Sequence, residues 1–389
     1  MSTERDFDVI VYGASGFTGR LVAEYLQQRY GDDDTVRWAM AGRNADKLAQ
    51  VRDEMGIAAD TPLIVADGDD EASLQAMVAR GKAIITTVGP YQTYGNTLLA
   101  VCAKTGTDYL DLCGEPVWMR HMIDAHESTA KASGARIVFS SGFDSIPSDL
   151  GVWKLQQHCI EQTGVPSARI RCRVRKMQGT FSGGTAASFT ATLAAARDPE
   201  ILALLRDPFS LVPDFDGPAQ PHGNKPYYEE DLGSWVTPFI MATINTRNVH
   251  RSNALLGFPY GRDFVYDEMV LTGPGDKGEH IAKALADRDD MSSKDGPKPG
   301  EGPDKEEREN GFYDMLFIAD TADGPIKFAV TGDRDPGYGS TSKMLSEAAL
   351  CLVKDATDTP AGIHTTASAM GQKLIDRLVA NAGLTFSLE

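Results

Sequence analysis

The segment Gly13-Ala14-Ser15-Gly16-Phe17-Thr18-Gly19 comes directly after an apolar run from Asp8 to Tyr12, and Leu21, Val22, Tyr25 and Leu26 beyond it fall on one helical face. Strand, glycine-rich turn and helix in that order admit few folds. Gly13 can make the tight turn, Gly16 lets the backbone approach a pyrophosphate, and Gly19 lets helix and strand pack closely. The free amides of the helix N-terminus then face the phosphates. A glycine-rich turn without a ligand has the same spacing, so the rest of the chain decides between the two readings.

A series of buried strands succeeds this helix. Val36 to Ala41 ends at Gly42-Arg43, Leu63 to Ala66 ends at Asp67, and Ala83 to Val88 ends at Gly89-Pro90. Asp108 to Leu112 and Arg136 to Phe139 add two more, with a helical stretch around Met119 to Ala132 between them. Apolar strands alternating with helices predict a parallel, doubly wound α/β sheet. Beyond Trp153 the period changes: Ile170, Cys172 and Val174 alternate with Arg171, Arg173 and Arg175, as in a strand with one wet face. Further strands near Val236 to Ile244, Phe264 to Leu271, Tyr313 to Ile318 and Ile326 to Thr331, with helices around Ala186 to Ala196 and Pro199 to Leu205, predict an α+β domain with a mainly antiparallel sheet.

The stretch from Thr272 to Asn310 is rich in Gly, Pro and charge and reads as a lid or a disordered insertion. After Asp335-Pro336-Gly337-Tyr338-Gly339, a helical face carries Met344, Leu345, Ala348, Ala349 and Leu352, and a last helix carries Met370, Leu374 and Leu378. The expected division is a dinucleotide domain over 1–150, an α+β domain for substrate or dimer contacts over 151–335, and helices packing back on the first domain over 336–389. A chain of 389 residues fits two domains, since single cores stop growing near ~250 to 300 residues.

The net charge of −17 repels phosphate backbones and anionic headgroups at long range, which argues against nucleic acid as a partner. Any bound anion must meet a local positive site. The cysteines, Cys102, Cys113, Cys159, Cys172 and Cys351, are odd in number and never form a Cys-x-x-Cys pair, as expected of free thiols in a reducing compartment. Charged residues Glu4, Arg5, Asp6 and Asp8 stand where a secretory signal would be apolar, and runs such as Ala83 to Gly89 fall far short of the roughly 20 residues that span a bilayer. A cytoplasmic protein is expected, with any membrane association peripheral. The histidines show no metal-ligand spacing with each other or with cysteine, and no Gly-x-Ser-x-Gly elbow is present.

Cofactor choice is made at the end of the second strand, where an acidic residue would bind the ribose 2′-hydroxyl and repel a 2′-phosphate. This chain has Gly42-Arg43-Asn44 there. Arg43 can pair with the phosphate and stack on adenine, which selects NADP(H), although a solvated surface arginine reads the same way. Asp67 can reach the adenine amino group or cap a helix. Thr87-Val88-Gly89-Pro90-Tyr91 passes beside the cofactor, since ligands of open α/β sheets lie outside the carboxyl ends of the strands. Candidate cofactor contacts are therefore Gly13, Ser15, Gly16, Phe17, Thr18, Gly19, Arg43, Asn44, Asp67, Val88, Gly89 and Pro90.

Tyr91 and Tyr94 are the local hydroxyl donors, and Tyr91 can give a proton as a general acid or serve only as a packing residue. Cys113, Glu115, Asp144 and Ser145 also stand at carboxyl ends of strands; Asp144 joins Tyr91 as a candidate catalytic group. The stripe Arg171, Arg173, Arg175, Lys176 can draw an anionic substrate, but a solvated strand face is the default.

The glycine motif, Ala41-Gly42-Arg43, Val88-Gly89-Pro90-Tyr91 and Ser141-Gly142-Phe143-Asp144-Ser145-Ile146-Pro147-Ser148-Asp149 together resemble the saccharopine dehydrogenase-like oxidoreductases, and among them the trans-acting enoyl reductase branch. Ser182-Gly183-Gly184-Thr185, Gly300-Glu301-Gly302-Pro303, Arg308-Glu309-Asn310-Gly311 and Asp335-Pro336-Gly337-Tyr338-Gly339-Ser340 extend the likeness over nearly the whole chain. The resemblance implies an N-terminal Rossmann domain, an inserted α+β domain and returning C-terminal helices. It also implies reduction by NADPH of a double bond in a polyketide or lipid precursor presented by a partner synthase. Cofactor roles carry over to Gly13, Gly16, Gly19 and Arg43. Saccharopine reductases carry a Gly-x-Asp-Pro-Gly type of loop that helps hold an amino acid, where this chain reads Gly142-Phe143-Asp144-Ser145-Ile146-Pro147, so a less polar substrate fits better.

The favoured reading is an NADPH-dependent reductase of an apolar or acyl substrate, with the proton supplied by Tyr91 or solvent. Two alternatives stand beside it: an NADP-linked dehydrogenase of a secondary amine, and a lipid-associated protein that binds NADP(H) without turnover. A homodimer and a peripheral membrane partner are both left open.

Overall fold

A computed structural model describes residues 5–180, 182–287, 298 and 300–389. The first domain alternates strand and helix: β1 (Phe7–Tyr12), α1 (Phe17–Tyr30), β2 (Trp38–Gly42), α2 (Ala45–Glu54), β3 (Leu63–Val65), α3 (Glu71–Val78) and β4 (Gly81–Thr86). It continues through α4 (Tyr91–Tyr94), α5 (Asn96–Thr105), β5 (Asp108–Leu110), α6 (Pro116–Ser133) and β6 (Arg136–Val138). Every residue of β1 is buried, as a strand covered by helices on both faces must be. Val9 of β1 stands between Trp38 of β2 and Ala83 of β4, and all pairings in this sheet are parallel.

The second domain runs α7 (Ile146–Thr163), β7 (Arg169–Gln178), α8 (Gly183–Ala195), α9 (Pro199–Arg206), β8 (Tyr227–Glu229), β9 (Ser234–Pro238) and α10 (Ala242–Leu255). After these come β10 (Val265–Gly273), α11 (Gly275–Ala286), α12 (Lys305–Asn310), β11 (Phe312–Ala319) and β12 (Ile326–Gly332). The chain finishes with α13 (Thr341–Leu350), β13 (Gly362–His364), α14 (Thr366–Ala369), α15 (Gly371–Asn381) and β14 (Leu384–Leu388). The sheets read β13-β6-β5-β4-β1-β2-β3 and β14-β12-β11-β7-β10-β9-β8. In the second, β7 and β10 are parallel and every other pair is antiparallel. The α/β doubly wound sheet and the mainly antiparallel second sheet are as expected.

The structure departs from the sequence reading in four places. First, the C-terminal stretch is not helices alone: β13 extends the first sheet beside β6, and β14 extends the second beside β12. Its helices do reach the first domain, where the buried Glu347 of α13 accepts from Tyr25 (2.6 Å) and Tyr30 (2.7 Å) of α1 and pairs with Arg377 of α15. Second, the strand expected over Val236 to Ile244 stops at Pro238, and Ala242 opens α10. That helix escapes a search for apolar periodicity because its buried residues include Asn245, Arg247, Asn248, His250, Arg251, Ser252 and Asn253.

Third, the insertion from Thr272 to Asn310 carries α11 and α12 at its ends, the latter closed by a capping box between Asp304 and Glu307. Its residues 288–297 and 299 lie outside the described ones. Fourth, the arginines of the β7 stripe are paired and not free for an anion, while Lys176 at its end is exposed. Arg173 is fully buried and pairs with Glu229 (2.5 Å) and Asp267 (2.9 Å); Arg171 meets Glu229, Asp231 and Asp320, and Arg175 meets Asp314 and Glu389. Neighbouring strands supply the carboxylates that make burial of these cations tolerable. No described helix is long and apolar enough to cross a membrane.

Candidate active site

Gly13 has φ +88°, and its amide and that of Ala14 both donate to the Ala41 carbonyl of β2, at 3.0 and 3.1 Å. A Cβ on Gly13 would stand 2.7 Å from Val88 Cγ2, and one on Gly19 would collide with the Gly13 carbonyl oxygen. Both positions therefore require glycine, one for its dihedral and one for helix–strand contact. Gly16 caps α1 without any side-chain hydrogen bond, leaving the first-turn amides for an anionic ligand. Arg20 reaches back to the Ser15 carbonyl and keeps a buried Nε without a partner among the described residues. Ser15 and Thr18 are partly exposed on this turn, whereas the Phe17 ring is engaged edge-on with Tyr338 at 5.1 Å. Phe17 offers its backbone amide more than its ring.

At the end of β2, Arg43 is exposed and makes no hydrogen bond or ion pair with a described residue. Asn44 caps α2, its side chain accepting from Lys47 N at 2.8 Å, which leaves only its amide nitrogen for a ligand. Asp67 is not a helix cap: Asp70 holds that position on α3, and Asp67 accepts from Asp69 N at 3.1 Å. The buried Tyr12 hydroxyl lies between the two regions; burial pushes it upward, Asp67 adds to the rise and Arg43 opposes it. Glycine loop, Arg43 and Asp67 thus sit together around the carboxyl ends of β1, β2 and β3, a cradle that suits a dinucleotide with a 2′-phosphate. The residues fit NADP(H).

After β4, Thr87 N donates to Tyr12 O at 3.1 Å, which brings Thr87 and Val88 against Gly13, with Gly89 exposed beyond them. Here the Tyr91 hydroxyl is engaged by the protein itself and is not presented as a general acid. Its hydroxyl is buried, donates to Thr86 O and accepts from Leu112 N, both at 3.1 Å, and its ring packs on Trp118. Burial, and then Asp111, hold the phenol well above its ordinary range. Tyr91 ties the β4 loop to the β5 loop. Glu115 has a similar task, accepting from the Tyr91 and Gln92 amides at 2.9 Å each. Tyr94 is exposed, and Cys113 is buried with its sulfur accepting from Glu115 N.

Asp144 behaves differently. It is partly exposed, its carboxyl has no hydrogen-bond partner among the described residues, and Oδ2 lies beside Gly114. Burial first, then the charge of Glu268, push it up to about 7. Glu268 reaches this seam from β10 of the second domain; it accepts from Tyr266 (2.6 Å) and Asn245 (2.8 Å) and is itself raised by burial. Ser145, the neighbour of Asp144, accepts from Asn248 Nδ2 at 2.9 Å, and the Oδ1 atoms of Asn245 and Asn248 are buried without partners among the described residues. The sequence reading does not reach Glu268, Asn245 or Asn248. Asp111, at the end of β5, is also raised to about 7 by burial, but the Cys113 and Ser140 amides and the Tyr109 hydroxyl occupy it fully.

The family model for the saccharopine dehydrogenase NADP binding domain matches residues 9–138. A trans-acting enoyl reductase of Mycobacterium leprae is 37% identical, with 96% of this chain and 96% of that protein covered. A relative in Mycobacterium tuberculosis, provisionally given the same name, is 40% identical with 97% of each covered. Saccharopine dehydrogenase (L-Glu forming) from Saccharomyces cerevisiae shares the fold at a TM-score of 0.56, covering 98% of this chain and 99% of its own at 12% identity. With a cradle that fits NADP(H) at its first turn, the chain belongs to the trans-acting enoyl reductase family of NADP-dependent oxidoreductases.

Proposed function

We propose that this protein reduces the carbon–carbon double bond of an enoyl acyl intermediate built by a partner synthase, with Asp144 as the proton donor. NADPH, when bound, supplies the hydride and is oxidised to NADP+. One new C–H bond forms from that hydride and the second from a proton, so the π pair of the alkene is consumed. The observation that carries the reading is the Asp144 carboxyl: partly exposed, without a hydrogen-bond partner among the described residues and pushed up to about 7, it can hold and give a proton near neutral pH. Burial first, and then the neighbouring Glu268, favour the protonated form of Asp144, and Asn245 donates to Glu268. The names of the relatives support the enoyl substrate and a reductase acting in trans.

The test is loss of NADPH absorbance on mixing purified protein with enoyl thioesters, followed by product mass. Gain of two hydrogens on the acyl chain, with NADPH preferred to NADH, supports the proposal. Tight NADPH binding with no turnover of any enoyl thioester would sink it.

A further inference from the structure

Helices α8 and α9 are composed like core helices, with Ala186, Ala187, Phe189, Leu193, Ile201, Leu202, Leu204 and Leu205 among their residues. Yet in α8 only Gly183 is buried, and in α9 nothing is. The chain leaves this apolar surface half covered, which marks a place where something else packs. Between these helices and α6 lies a cavity of about 260 Å³, walled by Trp118, Met122, Ala195 and Ile201 and bounded also by Gln92 and Glu115. Two of the polar groups in the wall are already engaged: Trp118 Nε1 donates to Asn96 at 2.7 Å, and the Glu115 carboxylate is taken by two backbone amides; the exposed His121 and the Gln92 side chain stand at its polar rim.

One helix, α8, links the cavity to the β4 loop. Ser188 Oγ of α8 stands 3.7 Å from where a Cβ on Gly89 would be, and Thr192 and Ala195, one and two turns further, line the cavity. The α9 wall is held from behind, since the buried Arg247 donates to Leu205 O at 2.5 Å. The volume lies just below the ~300–1,000 Å³ of whole-ligand pockets, which suits one arm of a larger substrate.

We infer that this cavity takes the hydrocarbon tail of the acyl substrate, laid along α8 away from the Gly89–Pro90 loop. The inference rests on the enoyl reductase reading and adds to it a preference for long, apolar chains.

The experiment is NADPH-dependent reduction of crotonyl, octenoyl and dodecenoyl pantetheine thioesters by the full chain. Burial of each methylene should raise kcat/KM about three- to fourfold, mainly through KM, until the cavity is full. Ala195→Trp fills it and should lower the dodecenoyl-to-crotonyl ratio by at least roughly tenfold; Ile201→Ala enlarges it and should extend the rise to longer chains. Binding of saturated dodecanoyl pantetheine, which cannot be reduced, is read separately by calorimetry in both variants. Turnover that is indifferent to chain length in the wild type overturns the cavity assignment and leaves the reductase reading intact. Dodecanoyl binding that Ala195→Trp weakens supports the cavity even if no enoyl thioester is reduced, an outcome that removes the reductase reading alone. Equal dodecanoyl binding by both variants and wild type, or Ala195→Trp losing only its co-sedimentation with phosphatidylglycerol vesicles, overturns it in favour of a surface contact.

Discussion

The Tyr338 ring stands edge-on to Phe17 at 5.1 Å, while its hydroxyl accepts the Ser182 amide at 2.5 Å. One side chain thus joins the first turn of α1 to the start of α8. Thr185 shares the same hydroxyl at 2.9 Å. Tyr338→Phe keeps the ring contact and strips the hydroxyl, leaving the Ser182 amide without its acceptor. The expected result is a loss of ~1–3 kcal/mol, concentrated at the N-terminal end of α8. Hydrogen exchange over residues 182–195 should speed up, and unchanged protection there would show that Tyr338 does not anchor the helix.

Arg43 makes no hydrogen bond or ion pair with a described residue that its replacement would break, so a variant there reads out cofactor contact with little structural noise. Arg43→Asp exchanges a phosphate-binding group for one that repels phosphate and accepts from a ribose hydroxyl. A charge-assisted contact of ~1.5–3 kcal/mol converts to a loss of roughly 10- to 100-fold in NADPH affinity, with NADH affinity held or improved. Titration of each cofactor measures both numbers. Equal loss for NADH and NADPH would mean that Arg43 does not read the 2′-phosphate.

Tyr91→Phe separates structure from chemistry. Removal of a hydroxyl that both donates to Thr86 O and accepts from Leu112 N should lower stability by ~1–2 kcal/mol and leave the turnover of folded protein within about tenfold. A denaturant melt and a kinetic assay on the same sample decide it. Turnover that collapses in a protein of normal stability would return Tyr91 to the role of acid.

For Asp144 the effects on activity and stability run in opposite directions. As a proton donor raised to about 7, it should give a kcat/KM that is flat at low pH and falls as pH rises through about 7. Asp144→Asn should reduce turnover by ~10²- to 10⁴-fold and abolish that limb. Because the folded-state pKa lies above the ordinary carboxylate value of 3.8, the folded protein holds the proton more tightly than the unfolded one. This carboxyl therefore costs stability progressively as pH climbs from about 4 to about 7, and the full penalty persists above that. The amide variant should melt higher than wild type at pH 8 and close to it at pH 4. Asp111 and Asp149 are raised by burial too, so the difference between variant and wild type, not the wild-type curve, isolates Asp144. A variant that melts lower at pH 8 would contradict a carboxylate in the seam that lacks a partner among the described residues.

The first domain is legible in the sequence because its strands are short apolar runs ending in glycine or acid, and Asp8 to Tyr12 needs no tertiary information to be read as buried. Arg43 is legible for the same reason: its place after β2 comes from local order. Glu268, Asn245 and Asn248 are not, since their meaning comes from meeting Asp144 and Ser145 across more than a hundred residues of chain. The start of α10 reads as strand because its buried face is polar, and hydrophobic periodicity has nothing to detect there. The Arg171, Arg173, Arg175 alternation is a true strand signal with a misleading face: period shows that one side differs from the other, not that the charged side is wet. β13 carries only Gly362, Ile363 and His364, too little for any local signal.

That short strand has a consequence for how the molecule comes to exist. In order of synthesis, β1 to β6 precede β13 by more than two hundred residues, and β12 precedes β14 by about fifty. A nascent chain thus carries the bare outer edges of β6 and β12 through much of its translation, and bare edges recruit other strands. The stretch from Gly362 to Leu388 caps both edges at the end, so any truncation that removes it exposes two sites for aggregation at once, one on each domain.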